Sequence, residues 1–308
     1  MVSTFKELGG EIHYLRRLVD KEDKLWSAFN PSIAYSPKHG YAVAFRSSNY
    51  VILPHGELFV NHGGPIKNQV WFSELDDDLK LLDLRKIDFT DSGYNMKRGV
   101  EDPKLMWRDG KWVFTAVAME RDIPVARQCE CYMNNEATAV TSIQLYEGVE
   151  AKRPEKNWMT AGNKPKNFDY IYDGNGIIKN GCLIKKLSDN EKLSALRGNT
   201  MLHEMSDGTY LAVMHRLYIT KKMAFVMTEF GMREAVHKNY HHFFVRFNED
   251  GWAIEISEPF QFVSEGIEFA AGIVEKDNNY IVSFGKDDVS SHLGVIPVSK
   301  VKRLLKKI

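Results

Sequence analysis

The chain has 308 residues, 44% of them hydrophobic and 12% aromatic, enough to build one large domain with a well-buried core. Its 41 Lys and Arg balance 41 Asp and Glu, so the formal charge is zero and no overall field gathers polyanions, which argues against a nucleic-acid coat protein. Three cysteines, Cys129, Cys131 and Cys182, form neither a disulfide framework nor a cysteine-rich zinc site, and a reducing compartment suits that usage.

The chain opens Met1-Val2-Ser3-Thr4-Phe5-Lys6-Glu7, without an apolar signal run, and no stretch reaches the roughly 18 apolar residues of a membrane span. A cytoplasmic protein without membrane contact is the expectation. Thr4 to Leu18 has helical periodicity, and a second helix is expected over Val298 to Ile308, with Lys300, Lys302, Arg303, Lys306 and Lys307 as a solvated basic face.

Between these ends a turn pair repeatedly precedes a short apolar or alternating run, the pattern of a hairpin entering a strand. His39-Gly40 precedes Tyr41 to Phe45, Asp109-Gly110 precedes Lys111 to Val117, Asp207-Gly208 precedes Thr209 to Met214, and Asn278-Asn279 precedes Tyr280 to Phe284. A weaker instance, Phe168 to Tyr172, is closed by Asp173-Gly174. Arg121 to Glu136 reads as a loop excursion, and nothing rich in Pro, Gly or Ser divides the chain. The expectation is an all-β fold: residues 1–308 as a single five-bladed β-propeller with short N- and C-terminal helical segments.

Three stretches carry candidate chemistry. Arg98-Gly99-Val100-Glu101-Asp102-Pro103-Lys104 stands before the strongest strand signal. On an extended chain, Glu101 and Asp102 point to opposite sides, so one faces a cleft while the other pairs with Arg98 or Lys104, and Pro103 biases Asp102 toward an extended conformation. His215 ends an apolar strand, and upstream Leu196-Arg197-Gly198-Asn199 offers the Arg197 fork for phosphate or carboxylate oxygens. Glu268 lies among apolar and small residues ahead of Gly285-Lys286-Asp287-Asp288, so it must be hydrogen-bonded or face a ligand. Arg46, at a strand end, is a further channel candidate, and Trp158 and Tyr172 are either sugar-stacking surfaces or core residues.

His241 and His242 are neighbours on a strand and point apart, so they do not share a metal. His62-Gly63-Gly64-Pro65 matches neither a dinucleotide fingerprint nor a phosphate loop. No cofactor and no metal are expected.

Phe29-Asn30-Pro31-Ser32, Glu101-Asp102-Pro103-Lys104, Lys156-Asn157-Trp158, Leu196-Arg197-Gly198, His215 and Ile267-Glu268-Phe269-Ala270-Ala271-Gly272 occur in an order that resembles the glycoside hydrolase family 130 mannoside phosphorylases and the related glycosyltransferase family 108. The resemblance runs from about residue 29 to 300. It implies Asp102 as the acid/base, with Lys104 where the family has arginine, and Arg197 and His215 at phosphate-binding positions. The family's Asn-Lys-Asp-Ala run is replaced by Arg-Gly-Asn-Thr, which tilts the expectation from phosphorolysis toward transfer from a nucleotide sugar or sugar phosphate.

The expected site therefore comprises catalytic Asp102 and Glu101, with Asn30, Arg46, Arg98, Lys156, Asn157, Trp158, Arg197, Asn199, His215, Glu268 and Asp287 around the substrate. The acceptor is open: a glycan, a protein or a modified nucleic-acid base. The alternatives are an inverting mannoside phosphorylase or hydrolase, and a catalytically silent sugar-binding propeller.

Overall fold

A computed structural model describes residues 2–15, 26–52, 58–60, 64–94, 98–118, 126–146, 156–185, 191–228 and 231–308. The expected N-terminal helix is absent over the described residues 4–15, and residues 16–18 of that expectation lie outside the described residues. Strand β1 (Ser3–Thr4) leads through a turn to β2 (Glu11–Leu15), because Phe5 is fully buried against Phe260 and Phe262 and Gly10 leaves no room for a side chain beside the Phe5 ring. Tertiary packing overrides the local 3.6-residue period there.

The first sheet is β3 (Ser27–Ser36), β4 (Gly40–Ser48), β7 (Asn68–Glu74) and β8 (Arg85–Lys86) in that order. The ribbon β5 (Tyr50–Ile52) and β6 (Leu58–Val60) sits between its second and third strands in sequence. The second sheet is β9 (Val100–Arg108), β10 (Lys111–Ala118), β11 (Arg127–Met133) and β12 (Val140–Leu145). Part of the expected loop excursion from Arg121 to Glu136 is thus strand β11. Its alternation is hidden because both faces are buried: Cys129, Cys131 and Met133 join the core on one side, while Gln128 and Glu130 are buried on the other.

The third group, β13 (Tyr170–Asp173), β14 (Gly176–Lys179) and β15 (Cys182–Lys185), precedes the single turn of α1 (Glu191–Ser194). It continues into a larger sheet only through β16 (Arg197–Gly198), where Arg197 pairs with Asp173 on one side and with His215 on the other. That larger sheet contains β17 (His203–Glu204), the long hairpin β18 (Tyr210–Thr228) and β19 (Gly231–Phe247), β20 (Ala253–Ile256) and β21 (Phe260–Gln261). The last sheet is β22 (Glu268–Lys276), β23 (Asn279–Lys286) and β24 (Ser290–Pro297), with β2 as its fourth strand, registered Glu11 to Val295 through Leu15 to Ser291. Helix α2 (Val298–Leu304) is shorter than expected and yields to β25 (Lys306–Lys307), although Val301 is buried and Lys300, Lys302 and Arg303 are exposed as a basic face should be.

Four of the five turn-and-strand patterns mark the second strand of a sheet, namely β4, β10, β18 and β23. The fifth, at Phe168 to Tyr172, is instead the strand before its turn, β13. Neighbouring groups share apolar clusters: the first and second sheets through Phe72, Trp112 and Phe114, the third group and the large sheet through Phe168, Met159 and Phe247. The large sheet and the last share Phe244, Ala270 and Phe284, and the last and the first share Phe45, Ile33 and Ile281. The second and third are joined by polar bonds, since Glu130 accepts from Arg108 at 2.8 Å and from the Tyr170 hydroxyl at 2.7 Å.

The first strands face one another. Ser32 Oγ donates to the Ala271 carbonyl at 3.0 Å and accepts from the Leu105 amide at 2.8 Å, tying β3, β22 and β9 together. Leu202 N donates to the Thr160 carbonyl at 2.9 Å, which brings the 157–162 and 199–204 segments into the same arrangement. Each buried large side chain in these faces contributes roughly 1.5–3 kcal/mol.

Candidate active site

Asp102 does not adopt the expected extended conformation. Its φ is 50°, and Asn30, which also precedes a proline, has φ 49°. At both places the pairing slips: Lys104 opposes Thr115 and Glu101 opposes Val117, while Ser32 opposes Ala44 and Phe29 opposes Arg46. Asp102-Pro103 and Asn30-Pro31 are therefore bulges, two residues facing one. A left-handed non-glycine residue costs on the order of 1 kcal/mol or more and persists only where its surroundings hold it. The consequence is that Glu101 and Asp102 converge on one cation instead of pointing apart.

That cation is Arg46 of β4, rather than Arg98 or Lys104. Its Nη1 lies 3.1 Å from Asp102 Oδ1, its Nη2 3.0 Å from Glu101 Oε1, and its Nε donates to Asn68 Oδ1 at 3.0 Å. Ser48 Oγ also donates to Asn68 Oδ1. Asn30 Nδ2 donates to Asp102 Oδ1 at 2.9 Å. Two glycines allow this assembly: a Cβ at Gly99 (φ 70°) would strike the Asn68 carbonyl, and one at Gly285 would strike Asn30 Oδ1 and stand 2.6 Å from its N.

Burial works against the Arg46 charge, but Asp102 and Glu101 outweigh it and raise its pKa. The two carboxylates are driven apart. Burial pushes Glu101 up, with Arg46 offsetting only part, whereas for Asp102 the pull of Arg46 and the Asn30 hydrogen bond overcome burial and hold it down. Both side chains remain partly open, 17% and 15% exposed. A third carboxylate joins them: Asp288 Oδ2 accepts from the Tyr50 hydroxyl at 2.8 Å, and burial raises its pKa against the pull of Arg46. Tyr240 is pushed up to about 12 by burial and by Asp288 and Asp102.

Basic side chains stand within electrostatic reach of this acidic group. Lys104 follows the bulge, is 2% exposed, and its Nζ donates to the Trp158 carbonyl at 3.3 Å. His215 is 5% exposed, its ring 4.9 Å from that of Tyr240, and it is held neutral: burial, then the charges of Lys104, Arg197 and Lys156, lower its pKa to about 3. Its Nδ1 has no partner among the described residues. Arg197 is 38% exposed, with Nη1 3.7 Å from Asp173 Oδ2, and Lys156 is exposed at the mouth.

The remaining expected residues separate. Asn157 is half-buried with φ 67° and Arg98 half-buried, its carbonyl accepting from Asn68 N at 2.7 Å. Trp158 and Tyr172 are core, packed with Tyr170. Glu268 is fully buried and accepts from the amides of Phe262, Val263 and Ser264, and Asn199 Nδ2 stands 3.2 Å from His242 Nδ1 behind His215. Asp287 is exposed, with its Oδ1 accepting from the Ile267 amide at 3.1 Å, and its neighbour Asp288 takes the inward place. Asp288, Tyr50 and Lys104 were missing from the expected site; the Gly285-Lys286-Asp287-Asp288 run and the lysine after Asp102-Pro103 were the only sequence signals. Among the described residues no group of three or more His, Cys, Asp or Glu side chains is arranged to hold a metal ion, and no helix is long and apolar enough to cross a membrane.

No family model and no curated protein matches the sequence. Solved structures do match its fold. The β-1,2-mannobiose phosphorylase from Listeria innocua superposes with a TM-score of 0.57 at 11% identity, covering 96% of this chain and 99% of its own. MPT-4, a mannose phosphorylase from Leishmania mexicana in complex with phosphate ion, gives 0.58 at 11%, covering 98% and 93%. MPT-1, a GDP-Man-dependent mannosyltransferase from Leishmania mexicana, gives 0.55 at 12%, covering 93% and 90%. The fold of this chain is thus shared with mannoside phosphorylases and a mannosyltransferase, in agreement with the resemblance read from the motifs.

Proposed function

We propose that the chain is a glycosyltransferase built as one five-bladed β-propeller, moving a sugar from a nucleotide-sugar or sugar-phosphate donor to an acceptor hydroxyl. Five groups of strands joined in sequence-successive contacts, with the first strands facing one another, support the blade count. The observation that supports the reaction is the meeting of two sets of groups: Glu101, Asp102 and Asp288 gather at Arg46, Lys156 and Lys104 act on Asp102, and Lys104, Arg197 and Lys156 act on His215.

A sugar offers hydroxyl donors to the acidic side, and its phosphate leaving group meets the cations. Arg46 and Asn30 both hold Asp102 Oδ1, and Oδ2 makes no bond among the described residues. Oδ2 receives the proton of the acceptor hydroxyl as its oxygen attacks the anomeric carbon and the bond to the leaving phosphate breaks. With its pKa held down, Asp102 is ionised at neutral pH and free to accept a proton, as transfer requires. Phosphorolysis asks the same residue to donate a proton. Glu101, pushed up beside it, favours that second reading in which a protonated carboxyl serves the leaving oxygen.

Incubation with a panel of nucleotide sugars, GDP-mannose first, is expected to release nucleoside diphosphate; mannobiose plus inorganic phosphate, with mannose 1-phosphate as readout, tests the second reading. Asp102→Asn is expected to lower turnover by about 100-fold or more with an unchanged circular-dichroism spectrum. Wild-type turnover in that variant removes Asp102 from the mechanism, and saturable sugar binding with neither reaction leaves a silent binding protein.

A further inference from the structure

The four basic side chains at the channel mouth differ in what they still have to offer an anion. His215 is neutral, Arg197 already has Asp173 beside it at 3.7 Å, and Lys156 is exposed to solvent. Lys104 is buried to 2% exposure with one hydrogen bond, to the Trp158 carbonyl, and no carboxylate within 4 Å among the described residues. An ammonium has three N–H donors, and a buried one so thinly partnered is either neutral or waiting for an anion.

We propose that Lys104, rather than Arg197, is the main anchor for the substrate's tetrahedral oxyanion, a phosphate group, and that it holds that anion only as an ammonium. The surroundings leave this to Lys104 alone. Asp102, on its own strand, acts on Lys104, and Lys104 in turn acts on His215 of β18, which the charges of Arg197 and Lys156 also reach. Thr115 opposite on β10, bonded to Met201 from the 199–204 segment at 3.8 Å, is uncharged, as is the 156–162 contact through the Trp158 carbonyl. Burial lowers the Lys104 pKa to about 7 even with Asp102 raising it. Arginine at this position stays charged at any physiological pH, so the lysine adds a titration that arginine lacks.

The inference rests on the reading above only for the nature of the phosphate's owner. Sulfate is the probe, a dianion throughout the range tested, titrated into the whole protein by calorimetry at pH 6 and pH 8.5. Wild-type affinity is expected to fall about tenfold or more between the two, as the ammonium loses its proton. Lys104→Arg should bind equally at both pH values, Lys104→Met should bind at least about tenfold more weakly at pH 6, and Arg197→Gln should change affinity less than about threefold. Sulfate binding by Lys104→Met within twofold of wild type overturns the proposal, as does a Lys104→Arg variant that keeps the wild-type pH dependence. Inorganic phosphate and GDP, titrated at pH 6, distinguish the two sources: the owner is the one whose affinity depends on Lys104, and dependence of neither overturns the proposal. Lys104-dependent anion binding without sugar transfer sinks the transferase alone; transfer with Lys104-independent binding sinks this inference alone.

Discussion

Replacing Arg46 with methionine tests the acidic half of the site without reference to any reaction. The guanidinium bonds Asp102, Glu101 and Asn68 and is 5% exposed, and methionine keeps much of the stem packed beside Phe29 and Tyr50 while deleting the charge. Two mostly buried carboxylates then lose the cation they bond directly, and only the weaker pull of Lys156 still reaches both. Breaking one side of a buried pair costs about 3–5 kcal/mol, which is the deficit expected in urea unfolding at pH 7.5. The pH dependence has a definite sign. In the native protein Asp102 titrates below its usual value, so its stabilising contribution is present above the unfolded pKa and lost as pH falls. In Arg46→Met burial raises both carboxylates, so stability is retained at low pH and lost as pH rises through their folded values. The deficit must therefore shrink from pH 7.5 to pH 5, by roughly 1.4 kcal/mol for each unit by which a carboxylate's folded value has risen above about 5. A deficit under about 1 kcal/mol, or one equal at both pH values, refutes the account of Arg46 as the charge that gathers Glu101 and Asp102.

Two further variants probe the frame. Gly285→Ala places a methyl group against Asn30 and should cost about 1–3 kcal/mol in urea unfolding, with a loss of activity from the displaced Asn30–Asp102 bond; unchanged stability would show that the β23 backbone can retreat. Glu130→Gln weakens a fully buried carboxylate held by Arg108, Tyr132 and Tyr170, and should cost about 3–5 kcal/mol, against about 1 kcal/mol for Tyr170→Phe. A larger loss from Tyr170→Phe would mean that the hydroxyl, not the charge, joins the second and third strand groups.

The strands were legible because a turn pair followed by β-branched and aromatic residues reports local geometry. Tyr41 to Phe45 and Tyr280 to Phe284 needed nothing distant to be recognised. The site was legible only as a set of names. Arg46 and Asp102 were both expected at the channel, yet their direct contact was not, because it depends on a bulge set by the pairing of Glu101 with Val117 and of Lys104 with Thr115. Pro103 argued for an extended Asp102, and the tertiary demand of Arg46 and Asn30 prevailed. Trp158 and Glu268 carried chemistry-bearing side chains but spend them on the aromatic core and on three backbone amides, which no spacing reveals. Thr4 to Leu18 misled for the same reason: its apolar residues answer to partners near residues 260 and 295.

The outermost position of the last sheet is filled by residues 11–15, joined to a strand made some 280 residues later (Leu15 with Ser291). Residues 11–15 must therefore wait unpaired until residues 291–295 have been synthesised. Until then β2 lacks the strand it pairs with and presents unpaired backbone groups to other molecules. A chain cut short before β24 therefore leaves β2 without its partner, and synthesis interrupted there yields a molecule with an exposed strand.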